Sequence, residues 1–213
     1  MPIQEPRVLK AQDLKCSRGG TELFSDLGFS VVSGESLVVK GGNGSGKTSL
    51  LRILCGFNHP AEGKVTWCSQ SIYGHDEYRQ QVSYVGHQSG VKPDLTVLEN
   101  LDFMQRLAGA SSQESEIKEA VRFVGLFRQR NMMTGKLSAG QKRRLALAKL
   151  QLQQRIVWVL DEPLTALDKE FIGEFEQVLK NHLDNHGILV VTTHRELKIP
   201  EYRVKRVNLS PSC

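Results

Sequence analysis

The sequence predicts an α/β fold: a mixed, mostly parallel sheet, an antiparallel β region on its N-terminal side, and a helical lobe inserted midway. Three observations lead there. A β-rich run at residues 36–40 enters a glycine-rich loop, Gly41-Gly42-Asn43-Gly44-Ser45-Gly46-Lys47-Thr48, which opens a helix. Two later apolar runs, 156–160 and 188–192, flank a helical stretch, and such alternation implies right-handed crossovers and parallel pairing. Between loop and runs, residues 88–153 lose strand character and repeat apolar side chains at helical spacing.

Each element has its own signal. Residues 8–16 and 27–33 alternate loosely, with Gly19-Gly20 between them as a turn. After the glycine loop, a helix is expected over 47–55, with Leu50, Leu51 and Leu54 on one face and Gly56 as its stop. Residues 63–68 and 82–85 read as strands. Helices follow over 96–107 (Val97, Leu98, Leu101) and 115–124 (Ile117, Ala120, Val121, Val124), the second started by Ser112, Ser115 and Glu116. A third covers 141–151, and a fourth covers 169–185 with Gly187 as its stop. The chain reads as one domain, 1–213, with a core at 1–87 and 154–213 and a helical lobe at 88–153.

Composition narrows the class. A chain of 213 residues, 39% hydrophobic, can bury a sizeable core without staples. No apolar run approaches the roughly 18 residues of a membrane helix, and residues 1–7 lack the apolar centre of a secretory signal. Cys16, Cys55, Cys68 and Cys213 are scattered without a Cys-x-x-Cys pair, which reads as free thiols in a reducing compartment. The net charge of +5 suits an anionic ligand or an acidic membrane face, and is equally compatible with neither. Lys142-Arg143-Arg144, at the start of a helix, reads as a solvated or nucleotide-side face rather than a nucleic-acid site. His182 and His186 stand i, i+4 without a third ligand nearby, as expected of histidines favoured by a helix C-terminus.

Three segments carry chemistry. Gly41–Thr48 fits Gly-x-x-x-x-Gly-Lys-Thr, whose backbone N–H groups and helix N-terminus cradle phosphate. Lys47 would reach the β and γ phosphates and the Thr48 hydroxyl would ligate magnesium. The run 156–162 is a buried strand ending in Asp161 and Glu162, 114 residues after Lys47, at the sheet edge where α/β folds bind ligands. Asp161 suits magnesium, through water, and Glu162 suits a general base for an attacking water. Leu137-Ser138-Ala139-Gly140-Gln141 is a serine N-cap opening a helix, able to present a hydroxyl and an N–H to an anion.

These segments, in this order and followed by Thr193-His194, resemble the ATP-binding-cassette ATPases over about residues 8–209. The resemblance implies a P-loop NTPase core with ATP and Mg2+ as cofactors. It implies nucleotide contacts from Gly41, Gly42, Asn43, Gly44, Ser45, Gly46, Lys47, Thr48 and Ser49. Ser138, Ala139, Gly140 and Gln141 would face the γ-phosphate of ATP held by a second, head-to-tail copy, and the exchange of a glycine for Ala139 should be tolerated. Gln88 falls at the family's Q-loop position, contacting magnesium or the nucleophilic water; Asp168 falls in the loop that crosses the dimer interface; His194 falls at the switch that binds γ-phosphate. The implied catalytic set is Lys47, Gln88, Glu162 and His194, and the implied metal set is Thr48, Gln88 and Asp161. One position departs: the aromatic that usually stacks on adenine, 29 residues before the lysine, is here Arg18, whose guanidinium can stack on a base.

Within that family, residues 86–92, 95–101, 138–150 and 158–168 are similar to the haem-exporter ATPases of cytochrome c maturation. This implies a peripheral subunit acting with integral-membrane permease subunits, on the cytoplasmic face of a bacterial inner membrane or the matrix side of a mitochondrial one, and without nucleic acid. An ATPase of another exporter or importer, for lipids, drugs or ions, shares every catalytic residue. A soluble non-transport cassette is a further alternative, but the 91 residues between Lys47 and Ser138 leave no room for the long coiled coil of chromosome-maintenance types.

Overall fold

The computed structural model describes residues 6–209; Cys213 and the first five residues lie outside the described residues. The chain opens with a hairpin, β1 (Val8–Arg18) and β2 (Thr21–Val32), then β3 (Ser36–Gly41) and α1 (Lys47–Leu54). β4 (Glu62–Trp67), the two-residue β5 (Gln70–Ser71), the short α2 (Asp76–Gln81) and β6 (Val82–Val85) follow. Three helices come next, α3 (Val97–Leu107), α4 (Glu114–Phe123) and α5 (Ala139–Gln153). β7 (Val157–Asp161), α6 (Lys169–Asp184), β8 (Ile188–Thr192) and β9 (Val204–Leu209) complete the fold.

The strands form two sheets. One is antiparallel, in the order β2-β1-β4-β5; the other has the order β6-β7-β8-β3-β9, with every pairing parallel. The expected parallel sheet and N-terminal antiparallel region are thus both present, as two sheets each of pure type. Helical crossovers impose parallel pairing on the second, whereas the short Gly19-Gly20 turn imposes antiparallel pairing on the first.

Period-two alternation sorts the parallel sheet into two cores. Leu37, Val39, Val157, Val159, Ile188 and Val190 face the antiparallel sheet and α1. Val38, Trp158, Leu160, Leu189 and Val191 face the helices, meeting Phe171, Phe175 and Leu179 of α6. Both faces being covered explains why β7 and β8 read as unbroken apolar runs with no polar alternation.

Helix starts follow local hydrogen-bond chemistry. Thr96 and Glu99 make a reciprocal capping box before α3. The start of α4 is set by Gln113 with Glu116, one residue beyond the expected Ser112, whose hydroxyl instead accepts from Gln105 at 2.7 Å. The C-terminal end of α5 is tied to β6: Lys149 donates to the Tyr84 carbonyl, and Ser83 Oγ donates to Gln153 Oε1 at 2.8 Å. Burial pulls the Lys149 ammonium down to about 8.

His182 belongs to packing. Its ring stacks on Trp158 with centroids 3.8 Å apart, and its Nε2 lies 3.2 Å from the Ile188 carbonyl oxygen. Burial pulls its pKa down to about 4, because the charged ring would lose water between α6 and the sheet. Cys16 and Cys55 are buried free thiols and Cys68 is an exposed one. Among the described residues no helix is long and apolar enough to cross a membrane.

Candidate functional site

Parallel strands sit about 4.8 Å apart, so neighbouring strands deliver their carboxyl ends to one short stretch of edge. Four adjacent strands, β6, β7, β8 and β3, end in that stretch, and the residues just after them are His87, Glu162, His194 and the glycine loop. Together they wall a cavity of about 490 Å3 with Lys47, Thr48 and Asp161, closed on one side by Arg18 and Leu23 from the β1–β2 hairpin.

The loop's shape follows from its glycines at two points. A side chain on Gly41 would come within 2.8 Å of the Leu209 carbonyl oxygen of β9. Gly46 caps α1 at φ +93°, a left-handed conformation open to glycine at little cost. The curled loop turns two carbonyls onto the lysine: Lys47 Nζ donates to Gly41 O at 2.7 Å and to Gly42 O at 2.9 Å. Ser45 Oγ is buried beneath the loop without a hydrogen-bond partner.

The carboxylates are held differently from one another. Asp161 is 2% exposed and accepts from Thr48 Oγ1 and Thr192 Oγ1, both at 2.7 Å. Because Thr48 gives its proton to Asp161, its lone pairs stay available to a cation, and the buried carboxylate supplies negative charge behind it. This donor set fits a hard divalent ion. Glu162 adopts φ +50°, rare for a non-glycine residue, and its N–H donates to Thr192 Oγ1 at 2.8 Å. Its Oε1 accepts no hydrogen bond, although His194 Nε2 stands 3.2 Å away. An acceptor left open beside a histidine can take a proton from a water.

The Ser138 segment lies elsewhere. Ser138 caps α5: its Oγ accepts from Gln141 N–H at 3.2 Å, and Gln141 Oε1 accepts from Ser138 N–H at 2.9 Å. With Gly140, Gln141, Arg144 and Asp168 it lines a separate open cleft of about 470 Å3. Ala139 is exposed, so its methyl group meets no obstacle there, whereas a side chain on Gly140 would fall 2.6 Å from the Ala166 carbonyl oxygen. Asp168 caps α6 by accepting from Phe171 N–H at 3.0 Å, and also pairs with Arg144. The Phe171 bond first, and Arg144 next, hold its carboxyl below the usual range.

Gln88 is exposed and is not among the residues that line the cavity, whereas its neighbour His87, in the same bend after β6, is. Of Lys142-Arg143-Arg144, expected as a solvated or nucleotide-side face, only Arg143 is buried. Arg143 is 6% exposed and donates to the carbonyls of Asp161, Gly86 and Pro163, while Arg144 lies over the Phe171 ring and pairs with Asp168. Thr165 and Thr192 also belong to the site's surroundings without having been marked by a motif. Short polar residues at strand ends carry no sequence signal beyond their neighbours'.

A parallel sheet whose strand ends hold a glycine cradle, a lysine and a hydroxyl–carboxylate pair defines a nucleoside-triphosphate-binding domain of the P-loop class. The ABC transporter family matches residues 24–165, and the chain belongs to that family. The cytochrome c biogenesis ATP-binding export protein CcmA of Histophilus somni is 40% identical over 202 residues, 94% of this chain and 92% of that protein. The CcmA of Nitrosomonas europaea is 42% identical over 205 residues, 95% and 96% of the two chains. Among solved structures, a dimeric ATP-binding cassette in a post-hydrolysis state with ADP and Pi superposes with a TM-score of 0.83 at 24% identity, covering 95% of this chain and 94% of that one.

Proposed function

We propose that this chain is the ATP-hydrolysing subunit of an ABC export complex serving cytochrome c biogenesis. It would be a peripheral protein on the cytoplasmic face of a bacterial inner membrane, or the matrix face of a mitochondrial one, docked to integral-membrane permease subunits. The names of its relatives support the biological setting, and the superposing cassette, whose structure is dimeric, supports a two-copy arrangement. The observation that carries the chemistry is the link between loop and strand: Thr48 donating to Asp161, with the open Oε1 of Glu162 beside it.

In this reading Lys47 and the loop N–H groups bind the β and γ phosphates of ATP. Bound magnesium would supply compensating charge there, held by the Thr48 hydroxyl and, through water, by Asp161. Glu162 orients a water and takes its proton as the water attacks the γ-phosphorus in line with the leaving ADP. His194, next to Glu162, contributes positive or hydrogen-bonding character at the transferring phosphoryl group. Ser138 and the Gly140 N–H of the second copy close the far side of the same triphosphate. Closing on ATP and opening after hydrolysis then give the working stroke.

The test is Glu162→Gln, which keeps shape and hydrogen bonding but removes the base. ATP affinity should stay near the parental value, phosphate release should fall by about 100- to 1000-fold, and ATP-dependent dimers should accumulate on size-exclusion chromatography. Parental turnover in this variant would refute the assignment.

A further inference from the structure

Arg143 sits in the second turn of α5, the helix whose N-terminus is Ser138, yet its side chain points away from that tip into the protein. All three of its donor positions are used on backbone carbonyls: Nη2 to Asp161 O at 2.6 Å, Nη1 to Gly86 O at 2.6 Å, and Nε to Pro163 O at 3.2 Å. Asp161 and Pro163 are the residues immediately before and after Glu162. The guanidinium therefore brackets the glutamate through the main chain.

That bracket acts where the backbone needs holding. Glu162 is left-handed at φ +50°, a conformation that costs a non-glycine residue on the order of 1–3 kcal/mol and persists only when its surroundings over-determine it. The peptide between Asp161 and Glu162 is fixed at both ends: its carbonyl accepts from Arg143, and its N–H donates to Thr192 Oγ1. The third bond reaches Gly86, whose successor His87 lines the same cavity. A lysine offers its donors from a single nitrogen; the planar fork spreads them over three, one for each carbonyl, at fixed angles. Burial pulls the guanidinium's pKa down, and the nearby Asp161 and Glu162 charges oppose that pull.

We propose that Arg143 is a positioning residue for hydrolysis, fixing the orientation of Glu162 and tying it rigidly to the helix that offers Ser138 to the partner copy. One buried side chain then links the water-orienting half of a copy's own site to the half it lends to the other. The proposal rests on Glu162 acting as the base.

The full-length chain is compared with Arg143→Lys and Arg143→Gln, each alone and combined with Glu162→Gln. Two substitutions are used so that one folded variant suffices. For a folded variant, ATP affinity and KM should stay within about twofold, because the phosphate loop is untouched, while kcat falls by about 10- to 100-fold. Lysine should restore part of what glutamine loses. In the Glu162→Gln background the same substitutions should change the residual rate by less than about twofold, since a bracket has nothing left to position. A parental kcat in a folded Arg143 variant, or losses that simply multiply in the double variants, overturns the inference while leaving Glu162's role intact. Parental turnover in Glu162→Gln alone removes both.

Discussion

The glycine-loop edge and the Ser138 tip each end in a helix N-terminus, yet they treat their polar atoms in opposite ways. At the loop edge, Thr48, Asp161 and Thr192 form a chain of hydrogen bonds that runs from α1 through β7 to β8, with Asp161 and Thr192 buried. At the tip, Ser138 and Gln141 satisfy only each other, three residues apart, at the surface. The first arrangement is built from long-range contacts and cannot change without disturbing the core. The second is local, closed and stable in a lone chain, and its hydroxyl still has a lone pair and a proton to offer. On the proposed reading, the difference separates a site a single copy assembles by folding from a surface that gains its ligand only when another copy arrives.

The largest effect is expected from Asp161→Ala, which attacks the knit half. Thr192, fully buried, loses its acceptor, and the buried Arg143 charge loses its counter-charge. Unfolding free energy measured by urea titration should fall by about 1–3 kcal/mol, the usual cost of orphaning a buried polar group, and ATP turnover should fall with it by at least about 100-fold. Unchanged stability would mean that the hydrogen-bond chain is incidental to the core.

Ser138→Ala should split what Asp161→Ala joins. Loss of the cap costs about 1 kcal/mol of stability. ATP binding to a lone chain should be unaffected, because the Ser138 cleft is separate from the loop cavity. Turnover, which on the proposed reading needs the partner's serine, should drop by about 100-fold, and mixing with Ser138-intact, Lys47→Ala chains should restore part of it. Without that restoration the exposed half-site has no second copy to serve.

The sequence made the loop edge legible for a physical reason. A phosphate cradle needs particular residues at fixed spacing, and a strand covered on both faces must be an unbroken apolar run, so 36–48 and 156–162 announce themselves. What stayed hidden depends on distant partners. β9 sets two adjacent cations, Lys205 and Arg206, between Val204 and Val207, without strict alternation, and pairs as a strand with β3. α2 is six mostly polar residues with a single buried anchor, Tyr78, too short to show a period. Arg143 read as one of three cations on a solvated or nucleotide-side face, because nothing local reveals three carbonyls waiting beneath it. His87 lines the cavity from the bend after β6, a place no motif marked.

The smallest effect concerns the one wall of the loop cavity contributed by the antiparallel sheet. Arg18 is exposed, at the end of β1, and shares that wall with Leu23 of β2. Leu23 offers a base an apolar edge and Arg18 a planar cation; a guanidinium stacked on a ring at an exposed site adds little, so Arg18→Ala should weaken ATP affinity by about two- to fivefold in a binding titration. Since the substitution leaves the glycine loop, Lys47 and Glu162 in place, kcat at saturating ATP should be unchanged. A stacked guanidinium also favours no one purine, so the loss should be similar for ATP and GTP. A loss confined to GTP would show that Arg18 reads the base edge by hydrogen bonds instead, and no loss for either would leave the antiparallel sheet as mere support for a site made wholly from the parallel one.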